Sequence, residues 1–235
     1  MTRRKARWWL SIPLLLAGIF LGIQLWFFGW ILVWRVTEPG PTQFMRIRLE
    51  ELQRKNPAAR LEHHWVPYNR ISANLKRALI AAEDSKFMQH QGFDIEGIQK
   101  AMEKNEKRGR IAAGGSTITQ QLAKNLFLWP EKSLLRKGEE ALITVMIEST
   151  WSKRRILEVY MNEIEWGTGV FGAEAAARHY FGVPASDLSE YQAAMLASMV
   201  PSPHYYDRKG ETDGLLRQTE VILERMNKVA IPPVK

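Results

Sequence analysis

The chain has no cysteine among its 235 residues. Disulfide staples, thiolate zinc sites and thiol nucleophiles are excluded, and a domain placed outside the cytoplasm must hold together by its apolar core alone. Strand-like alternation is nearly absent, and there is no internal repeat. Nucleic-acid-binding motifs are also missing, so nucleic acid is not read as a partner. His63 and His64 are adjacent, which in regular structure prevents both from facing one ion, and no HExxH or carboxylate spacing accompanies them. Charge is missing from one long stretch: from Trp8 to Trp34, only Ser11 and Gln24 are neither apolar, aromatic, glycine nor proline.

As a helix, that stretch would rise roughly 40 Å against a hydrocarbon core of about 30 Å, enough to span a bilayer with tilt. A cleaved signal peptide would carry a shorter apolar region and a small-residue cleavage site, whereas this one ends in FFGWILVWR. It is therefore read as a retained anchor. Arg3, Arg4, Lys5 and Arg7 precede it, so the positive-inside rule keeps the N-terminus cytoplasmic and exports the remainder. Trp8, Trp9, Trp30 and Trp34 suit the two membrane interfaces. The expected organisation is a basic tail at 1–7, a transmembrane helix at 8–34, a linker and the start of the exported region at 35–64, and one domain at 65–235.

The formal net charge is +8. Part of it is the N-terminal cluster and a solvated surface, and an anionic bilayer or a pyrophosphate-bearing substrate would also meet it. The pattern after the linker is helical. Leu75, Ala78, Leu79 and Ala82 form one stripe that ends at Glu83, and Thr117 with Gln120 predicts a capping box for a helix to about Leu128. Residues 133–163 read as a long helix broken near Ser152, followed by helices at 171–181, 188–199 and 212–228, with a stop at Pro201 and Pro203. The tract at 104–115 reads as a mobile basic loop, and LFLWP at 126–130 as core more than as a bilayer contact.

Two polar segments resist a purely structural reading. GGSTITQQLAKN at 114–125 offers Ser116, Thr117, Thr119, Gln120, Gln121, Lys124 and Asn125, more donors and acceptors than one helix face buries without a ligand. EDSKFMQHQG at 83–92 brings a carboxylate out where an apolar stripe gives way to surface. These segments, with RKGEE at 136–140 and KRRILEVYMNEIEWG at 153–167, resemble the signature blocks of the peptidoglycan glycosyltransferases of family 51. The first block, EDxxFxxHxG, is matched by Glu83, Asp84, Phe87, His90 and Gly92. RKxxE is matched by Arg136, Lys137 and Glu140. The last is matched by Lys153, Ile156, Leu157, Tyr160, Asn162 and Gly167, with Met161 at a usual leucine. The resemblance covers roughly residues 65–205.

The resemblance implies a mainly α, lysozyme-like domain that polymerises lipid II into β-1,4-linked glycan strands by inverting transfer, releasing undecaprenyl pyrophosphate. Glu83 is then the general base, kept ionised by nearby cations, and Glu140 the second carboxylate. Ser116, Thr117, Gln120, Gln121, Lys124, Lys132, Arg136, Lys137 and Asn162 are the expected substrate-binding residues. Glu140 is left to orient the cations, to hold a divalent ion such as Mg or Mn, or to steady the sugar; no cofactor is required. The expected partners are lipid II, the growing glycan chain and the membrane, with cell-division proteins open. A lytic muramidase of similar fold would have no pyrophosphate to hold, and an inactive division scaffold would not need Glu83 and Glu140. Neither S-x-x-K nor K-T-G is present, so the chain is read as monofunctional.

Overall fold

The computed structural model describes residues 8–108, 115–131 and 133–234. The chain divides into two units, the first up to Thr37 and the second from Glu38. In the first, α1 runs Trp8–Trp34, and within it Ser11–Trp34 is long and apolar enough to cross a membrane. Trp26, Trp30 and Trp34 follow one another at four-residue spacing, their rings 6.4 and 5.3 Å apart, so the indoles share one helix face.

The second unit is mainly helical, as the sequence pattern predicts. It contains α2 (Gln43–Lys55), α3 (Ala73–Glu83), α4 (Ile95–Arg108), α5 (Ile118–Phe127), α6 (Leu134–Thr150) and α7 (Lys153–Glu163), then α8 (Ala173–Phe181), α9 (Glu190–Met199), α10 (Pro203–Lys209) and α11 (Asp213–Met226). Most of the starts are written in the sequence: Thr42, Ser72, Thr117, Ser133, Ser152, Ser189 and Thr212 each accept a backbone N–H of the helix that follows. Ser152 ends the long 133–163 pattern where a break is predicted, because Trp151 and Ser152 turn the chain and Ser152 caps α7.

Three short strands, β1 (Glu62–His63), β2 (Glu165–Gly167) and β3 (Val170–Phe171), form a sheet in the order β1-β3-β2. β1 lies parallel to β3, with Glu62 opposite Val170, and β2 lies antiparallel to it with an irregularity between Glu165 and Gly167. Strands this short leave no alternation to read. Two local expectations change. Residues 104–108 belong to α4 instead of a loop, while 109–114 lie outside the described residues. Pro203 starts α10 where a stop is expected, since proline is tolerated at the first helical position.

Packing places α3 against α9 and α11, and α5 against α6 and α7. Leu75 and Leu79 of α3, Leu196 of α9 and Ile222 and Met226 of α11 are buried, so the end of α3 is held from two sides. Leu126, Phe127 and Leu128 are core, as read, and Trp129 reaches the surface. The exposed apolar residues lie further on, in α6: Leu134 is 94% exposed and Leu135 71%.

At the end of α7, Glu163 is fully buried and neither carboxylate oxygen has a hydrogen bond among the described residues. His63 Nε2 stands 4.0 Å from it. Burial pushes the Glu163 pKa well above the usual carboxylate value, with Arg155 opposing the shift and Glu38 adding to it.

Candidate active site

Glu83 is the last residue of α3, and the residues that follow it fix its position. The Asp84 carboxylate accepts from His90 Nε2 at 2.8 Å and from the Ile118 N–H at 3.1 Å, which joins the end of α3 to the first turn of α5. Phe87 is fully buried beneath the Lys153 ammonium, 4.6 Å from the ring centroid. Gly92 has φ +88°, and a Cβ there would stand 2.7 Å from Thr144 Cγ2, so only glycine fits. Its carbonyl accepts from the Thr117 hydroxyl at 2.7 Å. Most of the EDxxFxxHxG block is thus a clasp that sets α5 beside Glu83.

Among the described residues, the half-buried Glu83 carboxylate receives one side-chain hydrogen bond, from Gln121 Nε2 at 2.6 Å. The Gln121 carbonyl in turn accepts from the phenol of Tyr160, which is fully buried, at 3.1 Å. Burial raises the Glu83 pKa above the usual carboxylate value; Gln121 and Lys124 pull it down and Asp84 pushes it up. Cations were expected to keep Glu83 ionised; Lys124 does act in that direction, but desolvation is the larger influence, and among the described residues no cation bonds to the carboxylate directly.

Glu140 is held differently. It is buried in α6, and one oxygen accepts from Arg136 at 2.7 Å while the other is paired with Lys137. Arg136 also donates to the Glu131 carbonyl at 2.9 Å, and Lys137 to Ser116 Oγ at 3.2 Å. Lys124 is within electrostatic reach of both carboxylates. Burial lowers its pKa from the ordinary lysine value, as do Arg136 and Lys137, whereas Glu140 and Glu83 raise it. Its ammonium makes no hydrogen bond among the described residues and faces the Phe44 ring at 5.9 Å. The donor set at Glu140 does not suit a divalent ion: each oxygen already meets a cation, and no group of three or more possible ligands exists among the described residues.

Two cavities flank Glu83 and Gln121. One, of about 230 Å³, is lined by Glu83, Ser85, Asp94, Ser116 and Arg225 among others. The other, of about 210 Å³, is lined by Gln121, Lys124 and Asn125 with Phe44, Arg48 and His204. Of the residues singled out in the sequence, Glu83, Ser116, Gln121, Lys124, Arg136, Lys137 and Glu140 come together here. Thr117 lines the first cavity, but its hydroxyl and the Gln120 amide are taken up by the α5 capping box. Asn162 is elsewhere: its amide is fully buried, accepting from Val66 N–H at 3.0 Å and donating to the carbonyls of Val66 and Glu158 at 2.9 and 2.8 Å. Lys132 lies outside the described residues.

The sequence reading missed several lining residues. Phe44 and Arg48 come from α2, where a short helix was read within 35–64 but no site residue was assigned, and Arg48 is held by Glu165 at 3.0 Å. His204, bonded to Glu165 at 3.0 Å, comes from α10, and Arg225 from α11. The helical spacing of RIRLEELQRK was a signal for the helix that carries Arg48; nothing local marked the others as site residues.

A family model described as Transglycosylase matches residues 50–227. The chain is 62% identical over 225 residues to a protein named biosynthetic peptidoglycan transglycosylase from Dechloromonas aromatica (strain RCB), covering 95% of this chain and 97% of the relative. Relatives of the same name from Laribacter hongkongensis (strain HLHK9) and Janthinobacterium sp. (strain Marseille) are 59% and 55% identical, covering 92% and 98% of this chain and 95% and 98% of theirs. The arrangement of a lone carboxylate beside a cation cluster thus occurs in a chain that belongs to the transglycosylase family.

Proposed function

We propose that this chain is a peptidoglycan glycosyltransferase that polymerises lipid II into β-1,4-linked glycan strands with inversion and release of undecaprenyl pyrophosphate. The observation that carries this reading is the contrast between two carboxylates that both act on Lys124: Glu83, bonded among the described residues only to a neutral amide, and Glu140, clamped among cations.

Glycosyl transfer needs both environments. The acceptor hydroxyl gives its proton to the ionised Glu83 carboxylate as its oxygen forms the bond to the anomeric carbon. The bond from that carbon to the pyrophosphate oxygen breaks on the opposite face, and the electron pair leaves with the pyrophosphate. Lys124, Arg136 and Lys137 meet the developing negative charge. A raised pKa makes Glu83 a better proton acceptor once it is ionised, and Glu140 keeps the guanidinium and ammonium aimed. No general acid is needed, because pyrophosphate leaves as a stable anion.

The same reading places α1 in the cytoplasmic membrane with the N-terminal cluster on the cytoplasmic side and the second unit outside. Leu134 and Leu135, exposed at the start of the helix that carries Arg136, are suited to the lipid surface where a polyprenyl substrate is confined. The test is the purified full chain with labelled lipid II in detergent. Wild type should yield polymer and Glu83→Gln should not; shortened fragments of preformed glycan, or equal polymer from both proteins, would overturn the proposal.

A further inference from the structure

The cavity of about 230 Å³ beside Glu83 has one feature that proton abstraction does not require. Among the described residues, its ionisable side chains are Glu83, Asp84, Asp94 and one cation, Arg225. Asp84 is satisfied by His90 and the Ile118 N–H, and Asp94 accepts the Gly97 N–H at 3.0 Å in the first turn of α4. Arg225, by contrast, has no ion pair or side-chain hydrogen bond among the described residues.

Position sharpens this. Arg225 stands in the last turn of α11, one residue before the fully buried Met226, and α11 packs along α3, whose end is Glu83. Arg225 is exposed, but its backbone is therefore carried on a rigid element referenced to the carboxylate. A cation in a last helical turn is favoured by the helix dipole, but the dipole does not dictate that it line the same cavity as Glu83. A bare guanidinium there is a fork for a carboxylate or phosphate oxygen pair.

We propose that Arg225 binds an anionic group of the acceptor substrate, a carboxylate or a phosphate, and so places its hydroxyl at Glu83. This rests on the glycosyltransferase reading, with the cavity as the acceptor side. Arg225 is a binding residue on this account and takes no part in proton transfer. For lipid II the anion is either the pyrophosphate or a carboxylate of the attached peptide.

Steady-state kinetics of the full chain in detergent, with lipid II and with lipid II lacking its peptide, test this. Arg225→Ala should raise KM by about tenfold with kcat changed less than about threefold, and Arg225→Lys should recover part of the loss. Arg217→Ala, an exposed position on the same helix outside the cavity, should behave as wild type. A KM difference that persists without the peptide assigns the pyrophosphate; one that vanishes assigns the peptide carboxylate. KM within about twofold of wild type on both substrates, or a fall in kcat alone, overturns the proposal. Retention of fluorescent lipid II by Glu83→Gln and by Glu83→Gln/Arg225→Ala needs no turnover, so it judges Arg225 even if the wild-type chain makes no polymer. Weaker retention by the double variant supports the proposal, and equal retention counts against it.

Discussion

Glu83 and Glu140 are both acids on helices of the same unit, yet their surroundings are opposite in kind, as the two roles proposed for them require. Glu83 has one neutral donor and a pKa raised by burial. Glu140 has a guanidinium on one oxygen and an ammonium on the other. A carboxylate that must take up and release a proton is kept from strong ion pairs, whereas one that organises a cation cluster is saturated with them. The same residue type meets a neutral amide at one site and two cations at the other.

The sharpest way to break the comparison is to neutralise each acid in turn. Glu83→Gln should lower polymerisation by about 10²–10⁴-fold while the melting temperature stays close to wild type, because the amide keeps the shape but cannot accept the acceptor's proton. Synthesis within tenfold of wild type would end the assignment. Glu140→Gln should lose activity and also cost about 3 kcal/mol of stability, since it strands Arg136 beside a neutral group. Equal thermal behaviour of the two variants would show that the acids are not differently held.

Smaller effects test the cations. Lys124→Ala and Arg136→Ala should each lower kcat/KM by the equivalent of about 1.5–3 kcal/mol if they meet the pyrophosphate, and the exposed Arg217→Ala should not. Lys124→Ala carries a second signature. Lys124 lowers the Glu83 pKa, so its removal should move the acid limb of the activity profile to higher pH, and Gln121→Ala should do the same. An unmoved limb would detach that limb from Glu83.

The smallest expected effect concerns Glu163, a buried acid outside this pair. Its folded pKa is raised, so its contribution to stability is complete below the ordinary value of 4.5 and is lost as pH rises through the folded pKa, because the folded state binds more protons there. Glu163→Gln should therefore gain in melting temperature relative to wild type as the pH is raised above 4.5. A difference between the two proteins that does not change with pH would contradict the direction of that shift.

The helical architecture was legible because serine and threonine caps and apolar stripes are local signals, and Thr117 with Gln120 marked the start of α5 in plain sequence. Much of the cleft was legible through the matched blocks. Asn162 shows the limit of that route: its amide is spent on holding the backbone at Val66, and a motif alone cannot tell a residue that touches substrate from one that supports the frame. Phe44, Arg48 and Arg225 show the opposite limit. They reach the cavities only because α2 and α11 fold back from distant parts of the chain, and no periodicity within either helix records that return.

The link from Tyr160 through Gln121 to Glu83 also has a polarity. A phenol can donate to the amide oxygen, which leaves only the amide nitrogen to turn toward the acid, so the side chain cannot rotate end for end without breaking both bonds. Held this way, the amide donates to Glu83 and favours its anionic form, offsetting part of the burial that favours the protonated one. On the proposed mechanism the acid is protonated after each transfer, and an amide fixed as a donor, working against the burial that favours the protonated form, helps return it to the anion without any further moving part.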